Sequence, residues 1–188
     1  MIKLVKLSSY INVLHPSKLT QFLQDENEVN YVVLAINLLV VSILSLAVRF
    51  YSSLINSSGK FSLFSLIWPD LGFFIVLGLL DFIACRYGSK TNFVKLCYLL
   101  SFLTVSVNIL TIPLYFMMPS ADSSLALVGC IMLIPMLIIG LYSLYRHYLI
   151  FRSIYPELTG NNAKTAYIVS IGIMFFISLV LVSFFNFS

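Results

Sequence analysis

The chain has 188 residues, of which 60% are hydrophobic and only 10% charged, with a mean hydropathy of +1.01. A soluble domain carries roughly 25% charged residues, so this composition excludes an ordinary water-soluble globule and predicts burial in lipid. The net charge of +4 does not indicate a nucleic-acid binder, because the basic residues punctuate apolar runs instead of gathering on one polar module.

Met1 to Asn30 reads as a polar leader, and its first residues do not resemble a secretory signal. Pro16 suits the first turn of a short helix. Leu19, Phe22 and Leu23 then fall at i, i+3 and i+4, which predicts a short amphipathic helix lying on the membrane. The acidic run Asp25-Glu26-Asn27-Glu28 suits the approach to a helix N-terminus. A first span is predicted over about 31–50, with Asn37 inside it and Arg49 at its exit. A polar loop is expected over 51–60, with a glycosylation sequon at Asn56-Ser57-Ser58 that matters only in a eukaryote.

The second span, about 67–86, opens with Trp68 and Pro69 and carries two carboxylates, Asp70 and Asp81. Eleven residues at about 100° each make three turns plus roughly 20°, so both lie on one helix face. A carboxylate at the middle of a membrane helix costs about 2.5–3.5 kcal/mol on insertion scales, so this face should point into protein or water. Asp70 reads as an interfacial residue of the first turn. Asp81 is the leading candidate for a functional group: a proton relay, a site for a cation or lipid head group, or a gate. The alternative is structural, an ion pair with Arg86, Lys95 or Arg49, or a protonated carboxyl bonded to a neighbouring helix.

A basic turn with Gly88 leads to the third span, about 94–117. Cys97, Ser101, Thr104, Asn108 and Thr111 recur at spacings of 4, 3, 4 and 3 and so share a face. Such a stripe either lines a cavity or hydrogen-bonds helices together. Pro113 predicts a kink or an end, and 118–122 a turn. The fourth span, about 124–144 with Pro135 inside, should continue into solvent as a helix through Arg146 and Arg152. After the break at Gly160, Asn162 could cap the fifth span, about 166–185. The prediction is an all-α membrane protein: a leader over 1–30 and a five-helix domain over 31–188.

Five spans place Lys3, Lys6, Lys18, Arg86, Lys90, Lys95, Arg146, Arg152 and Lys164 on one side, and only Arg49 and Lys60 on the other. The positive-inside rule then predicts a cytoplasmic N-terminus and an external C-terminus. Lys90, Lys95, Arg146, Arg152 and Lys164 become candidate contacts for a partner or for anionic head groups, each worth about 1 kcal/mol near the surface. His147 and His15 read as solvated or lipid-facing residues. Cys85, Cys97 and Cys130 lie in or beside apolar segments without metal-ligand spacing, and neither a catalytic carboxylate pair nor a phosphate loop is present in the sequence. No cofactor is expected.

The Leu14-His15-Pro16 leader, five spans in about this length, Gly88-Ser89-Lys90-Thr91-Asn92-Phe93 before the third span and Ile112-Pro113-Leu114 within it resemble the Yip1 family. So does the link from Tyr148 to Gly160-Asn161-Asn162-Ala163-Lys164-Thr165-Ala166, although Thr165 here separates Lys164 from Ala166. The resemblance implies a polytopic protein without an established catalytic site. Eukaryotic members act in ER–Golgi trafficking, often with Rab-type GTPases engaged through a longer N-terminal region. The short leader is similar to prokaryotic members, some of which accompany export systems. The expectation is therefore a non-enzymatic scaffold or accessory subunit in a prokaryotic cytoplasmic membrane, or in ER or Golgi membranes if eukaryotic. It would contact anionic lipid and a membrane protein partner or further copies of itself. A lipid or small-solute transporter using the polar faces of the second and third spans is the alternative.

Overall fold

The computed structural model describes residues 7–56, 64–117 and 126–186. It is 86% helix, without strands among the described residues. Two short helices, α1 (Leu7–Leu14) and α2 (Leu19–Asp25), are joined by a 3-10 turn over Pro16–Lys18. Five long helices follow: α3 (Tyr31–Asn56), α4 (Phe64–Arg86), α5 (Phe93–Phe116), α6 (Ala126–Ile154) and α7 (Asn161–Asn186). Among the described residues, three stretches within them are long and apolar enough to cross a membrane: Tyr31–Val48, Phe93–Phe116 and Ile131–Ile154.

Helix α5 is the axis. Its residues 96–103 are all buried, and α1, α3, α4 and α6 pack around it. A continuous buried stretch on a helix requires neighbours on every side, which is why α5 shows almost no amphipathic face in its sequence. Helix α7 packs on α4 and α6 through Ala163, Ala166, Tyr167 and Ser170, a single face at helical spacing. By contrast α3 and α6 turn Ile36, Leu39 and Ile43, and Leu133, Ile134, Leu137 and Ile138, outward, as lipid-facing helices do.

Several boundaries differ from the sequence reading. Helix α3 runs through Asn56, across residues expected to be loop, and α4 already includes Phe64. Helix α7 starts at Asn161, so Asn162 lies in its first turn and does not cap it. The fourth span does continue, α6 being one helix to Ile154 through Pro135, but not into solvent, since Arg146, Ile150, Phe151 and Ile154 are buried. Pro113 likewise stays inside α5, within a turn of its end. The expected turn at 118–122 lies outside the described residues.

The leader is part of the bundle. Leu19, Phe22 and Leu23 do share a face, but they turn it onto the core, with the Phe22 ring edge-on to Phe102 of α5 at 5.6 Å. A face of this kind is satisfied equally by lipid or by protein, and here α5 lies close enough to take it.

The α4–α5 turn is built on Gly88. Its φ of +97° is left-handed; its N–H donates to the Cys85 carbonyl at 3.1 Å, and that of Ser89 to Ala84 at 3.2 Å. These are the two bonds of a Schellman motif. A Cβ at Gly88 would meet nothing within 4 Å, so the penalty for a side chain is purely conformational. Gly88→Ala should destabilise the protein by about 1–2 kcal/mol, read as a lower thermal midpoint in detergent, with the helical content before melting unchanged.

Candidate functional site

Asp81 lies on the last turns of α4 and is only 8% exposed. Its carboxylate accepts three hydrogen bonds. Oδ2 takes the Thr91 hydroxyl at 2.6 Å; Oδ1 takes the Asn92 backbone N–H at 2.9 Å and the Tyr155 hydroxyl at 2.5 Å. Asn92 is the residue before α5, so the negative charge sits on the N-terminus of that helix, where the backbone dipole favours it. Tyr155 follows α6 directly and is fully buried. Asn92 also reaches across to the Ile154 carbonyl at 3.5 Å. One carboxylate thus ties together the end of α4, the start of α5 and the end of α6.

This is a structural setting that differs from the protonated carboxyl considered above: Asp81 accepts every one of these bonds and donates none. The cations considered as ion-pair partners are engaged elsewhere: Arg86 lies over the Phe82 ring at 5.2 Å, and Lys95 donates to Asn27 at 2.8 Å. The side chains of Arg49, Trp68, Asp70 and Cys130 lie outside the described residues. Thr91, Asn92 and Tyr155 were missed by the sequence reading as partners of Asp81. Thr91 and Asn92 carried a usable signal, since Thr and Asn just before an apolar run mark a helix start. Nothing local to Tyr155 points to α4.

The third-span stripe divides. Ser101 is a cross-link: it accepts from the Asn37 amide of α3 at 2.8 Å and donates to its own helix at Tyr98. The other face of the Asn37 amide accepts from Tyr10 of α1. Thr104 and Thr111 instead bond back to carbonyls of α5, at Leu100 and Val107, the usual habit of Thr within a helix. Asn108 is half-buried beside Thr111, and Cys97 is buried as a free thiol. Ser101 and Asp81 do not share a partner: the polar side chains form two separate clusters. A third cluster joins the leader to α5, where Glu26 accepts from Ser9 at 2.6 Å and from Tyr98 at 2.5 Å.

Arg146 corrects the expectation of a surface cation. It is 1% exposed, and its guanidinium donates to the carbonyls of Asn12, Val13 and His15. Tyr142, one turn earlier, donates to Leu14. The carbonyls of Asn12, Val13 and Leu14 belong to the last turn of α1 and lack intrahelical partners, at the end of the helix where a positive charge is favoured; that of His15 also accepts the Lys18 N–H of the 3-10 turn. Burying a cation is costly unless it is fully hydrogen-bonded, and the end of α1 supplies the acceptors. Lys90, Arg152 and Lys164 are exposed, and Lys95 is half-buried. His147 packs against α7, with Nδ1 3.1 Å from the Tyr167 hydroxyl. That hydroxyl donates to the Leu144 carbonyl, so the imidazole is the donor from Nδ1. This replaces the lipid-facing or solvated setting expected for His147; His15 is exposed, as expected.

Beside α6 runs an open groove of about 750 Å³, lined by Val107 of α5 and by residues from Leu133 to Leu144, with Ser143 its one polar side chain. Among the described residues no three His, Cys, Asp or Glu side chains gather as metal ligands.

Fold and site together define an all-helical protein with helices suited to a membrane, cross-linked at one end by buried polar clusters. No family model, no curated protein and no solved structure matches the chain.

Burial and the Asp81 carboxylate hold the Tyr155 phenol above its ordinary value of 10.0. The unfolded chain therefore loses this proton near pH 10 while the folded protein keeps it, and stability falls as pH rises above that point. Tyr155→Phe should cost about 1.5–3 kcal/mol at neutral pH, for one hydrogen bond to a charged group. Above pH 10 it should also flatten the loss of stability, by up to about 1.4 kcal/mol per pH unit. Unfolding midpoints of both proteins from pH 8 to 11 check both effects; a parallel pair of curves would exclude Tyr155 as the source.

Proposed function

We propose that the protein is a five-span membrane protein of the Yip1 type, N-terminus in the cytoplasm, acting without catalysis as a scaffold or accessory subunit in export or trafficking. The prokaryotic cytoplasmic membrane is the proposed location, with ER or Golgi membranes the eukaryotic equivalent. The observation that supports this reading is the use made of Asp81. Both of its carboxylate oxygens accept bonds from the chain itself. A proton relay or an ion site needs lone pairs open to a path, whereas a carboxylate that gathers three segments builds a rigid end to a bundle. Ser101, Thr104 and Thr111 point the same way, since each is bonded to α3 or to its own helix.

That rigid end presents the exposed basic residues. The turn carrying Lys90 and the α6–α7 link beyond Arg152 meet at the Asp81 cluster, and Lys164 opens α7 beside α4. Lys90, Arg152 and Lys164 are the contacts we assign to anionic head groups and to a membrane protein partner.

The transport reading draws support from the apolar groove on α6, which has room for an acyl chain. Purification in mild detergent followed by native mass spectrometry separates the two. The expected result is a stoichiometric protein partner, lost when Lys90, Arg152 and Lys164 are all replaced by Glu but kept in Asp81→Asn where that variant folds. A lone protein carrying a tightly held lipid, released by Asp81→Asn in a folded variant, would replace the scaffold reading with transport.

A further inference from the structure

Helices α3 and α6 both pack along α5, and α1 lies on α5 reaching each of them. The Tyr10 hydroxyl donates to Asn37 of α3, and the Tyr10 carbonyl accepts from Ser106 of α5 at 2.9 Å. The carbonyls at the end of α1 accept from Tyr142 and Arg146 of α6. Beneath α1 there is therefore a slot. Phe102 and Ser106 form its floor, Asn37 stands on one wall, and Tyr142 and Arg146 on the other. Each polar side chain of that slot is spent on α1.

The way α1 is held differs from the packing of the long helices. Val13 is its one fully buried apolar side chain; Tyr10 and Leu14 are half-buried, and Leu7 and Ile11 are exposed. So little apolar burial stabilises the docking only weakly, and hydrogen bonds of modest net value supply the rest. A helix of eight residues is not stable alone. Such a segment opens before the bundle around it does.

Arg146 is where the bonds concentrate. Nε donates to the Val13 carbonyl at 2.7 Å, and Nη2 to those of Val13 at 2.5 Å and His15 at 3.1 Å. Every acceptor is a neutral carbonyl; among the described residues no carboxylate meets this guanidinium. A buried guanidinium bonds more strongly to an anion, and its planar fork matches phosphate oxygens. The carbonyl oxygens of Asn12, Val13, Leu14 and His15 crowd around Arg146 and Tyr142 much as the oxygens of one phosphate group would. A carboxylate offers only two. The helices beside the slot turn apolar residues outward, Ile36 and Leu39 on α3 and Ile134 and Ile138 on α6, so a ligand that arrives between them carries acyl chains.

We propose that α1 is a releasable strap, and that the slot it covers binds the phosphate of an anionic phospholipid when the strap is out. Arg146 and Tyr142 then exchange backbone carbonyls for phosphate oxygens. In the closed form described here, the end of α1 stands in for the head group. The site uses none of Lys90, Arg152 and Lys164, and so does not depend on the scaffold reading.

Maleimide labelling tests it on the full chain in dodecylmaltoside micelles, with Cys85, Cys97 and Cys130 replaced by Ala. Val13→Cys reports release of α1, and Leu100→Cys, fully buried on α5, reports opening of the bundle itself. Labelling is timed with added dioleoyl phosphatidylglycerol, with dioleoylglycerol, which has the same chains and no phosphate, and with inorganic phosphate. The expected result is a several-fold faster reaction at Val13 with phosphatidylglycerol alone, and a slow reaction at Leu100 throughout. Adding Arg146→Gln should speed Val13 labelling without lipid and abolish the response to it. If that variant labels at Leu100, and so does not hold its fold, Tyr142→Phe carries the same expectation at smaller size. A Val13 rate that no additive changes overturns the proposal, as does lipid that speeds Leu100 equally. An equal effect of dioleoylglycerol overturns the phosphate assignment, and an equal effect of inorganic phosphate overturns the lipid one. A lipid response that persists in folded Arg146→Gln removes Arg146 from the site.

Discussion

Everything at one end of this bundle depends on a carboxylate with three donors. Asp81 is costly to bury, and the cost is offset only because Thr91, Asn92 and Tyr155 arrive together. That condition couples the elements. The α4–α5 turn must close tightly enough for the Asn92 N–H to reach back, which the left-handed Gly88 permits. Helix α6 must end where Tyr155 can reach α4, and so must extend beyond the length a hydrocarbon core requires.

The second constraint is the mirror image of the first. Arg146 is a buried cation whose partners are backbone carbonyls at the C-terminus of α1, whereas Asp81 is a buried anion at the N-terminus of α5. Each is placed where a helix dipole favours its sign. The two charges do different work. Asp81 fixes long helices to one another; Arg146 recruits a helix of eight residues, too short to be stable alone. Between them, Asn37 and Ser101 cross-link α3 to α5, and Glu26 joins the leader to the same helix.

This arrangement bears on function through what it leaves exposed. Side chains that read as a polar path along one helix become, in three dimensions, separate clusters with their hydrogen bonds made inside the protein. Among the described residues, the exposed features include the basic rim around Lys90, Arg152 and Lys164, the apolar outward surfaces of α3 and α6, and the outer face of α1. The scaffold reading we propose draws on this: it needs only exposed surfaces, whereas moving a solute through the centre needs polar groups open to a path.

The sequence by itself determined the class and the order of the long helices. Apolar runs of this length, interrupted by Gly88 and Gly160 and flanked by basic residues, have few alternatives to a helical bundle in lipid. It also singled out Asp81, because a carboxylate well inside such a run, away from the interfacial Asp70, demands a reason. What it did not determine was the reason. Thr91 and Asn92 are near Asp81 in the chain, but Tyr155 is 74 residues away, and hydrogen bonding across that separation leaves no local pattern. The same limit applied to Arg146, which reads as one more cytoplasmic cation until α1 is seen to end against it. It applied to the leader as well, since periodicity says that Leu19, Phe22 and Leu23 share a face but not whether lipid or α5 covers it. Periodicity and composition report what each segment must bury; only the tertiary structure decides against what, because that depends on which distant groups arrive at the same depth.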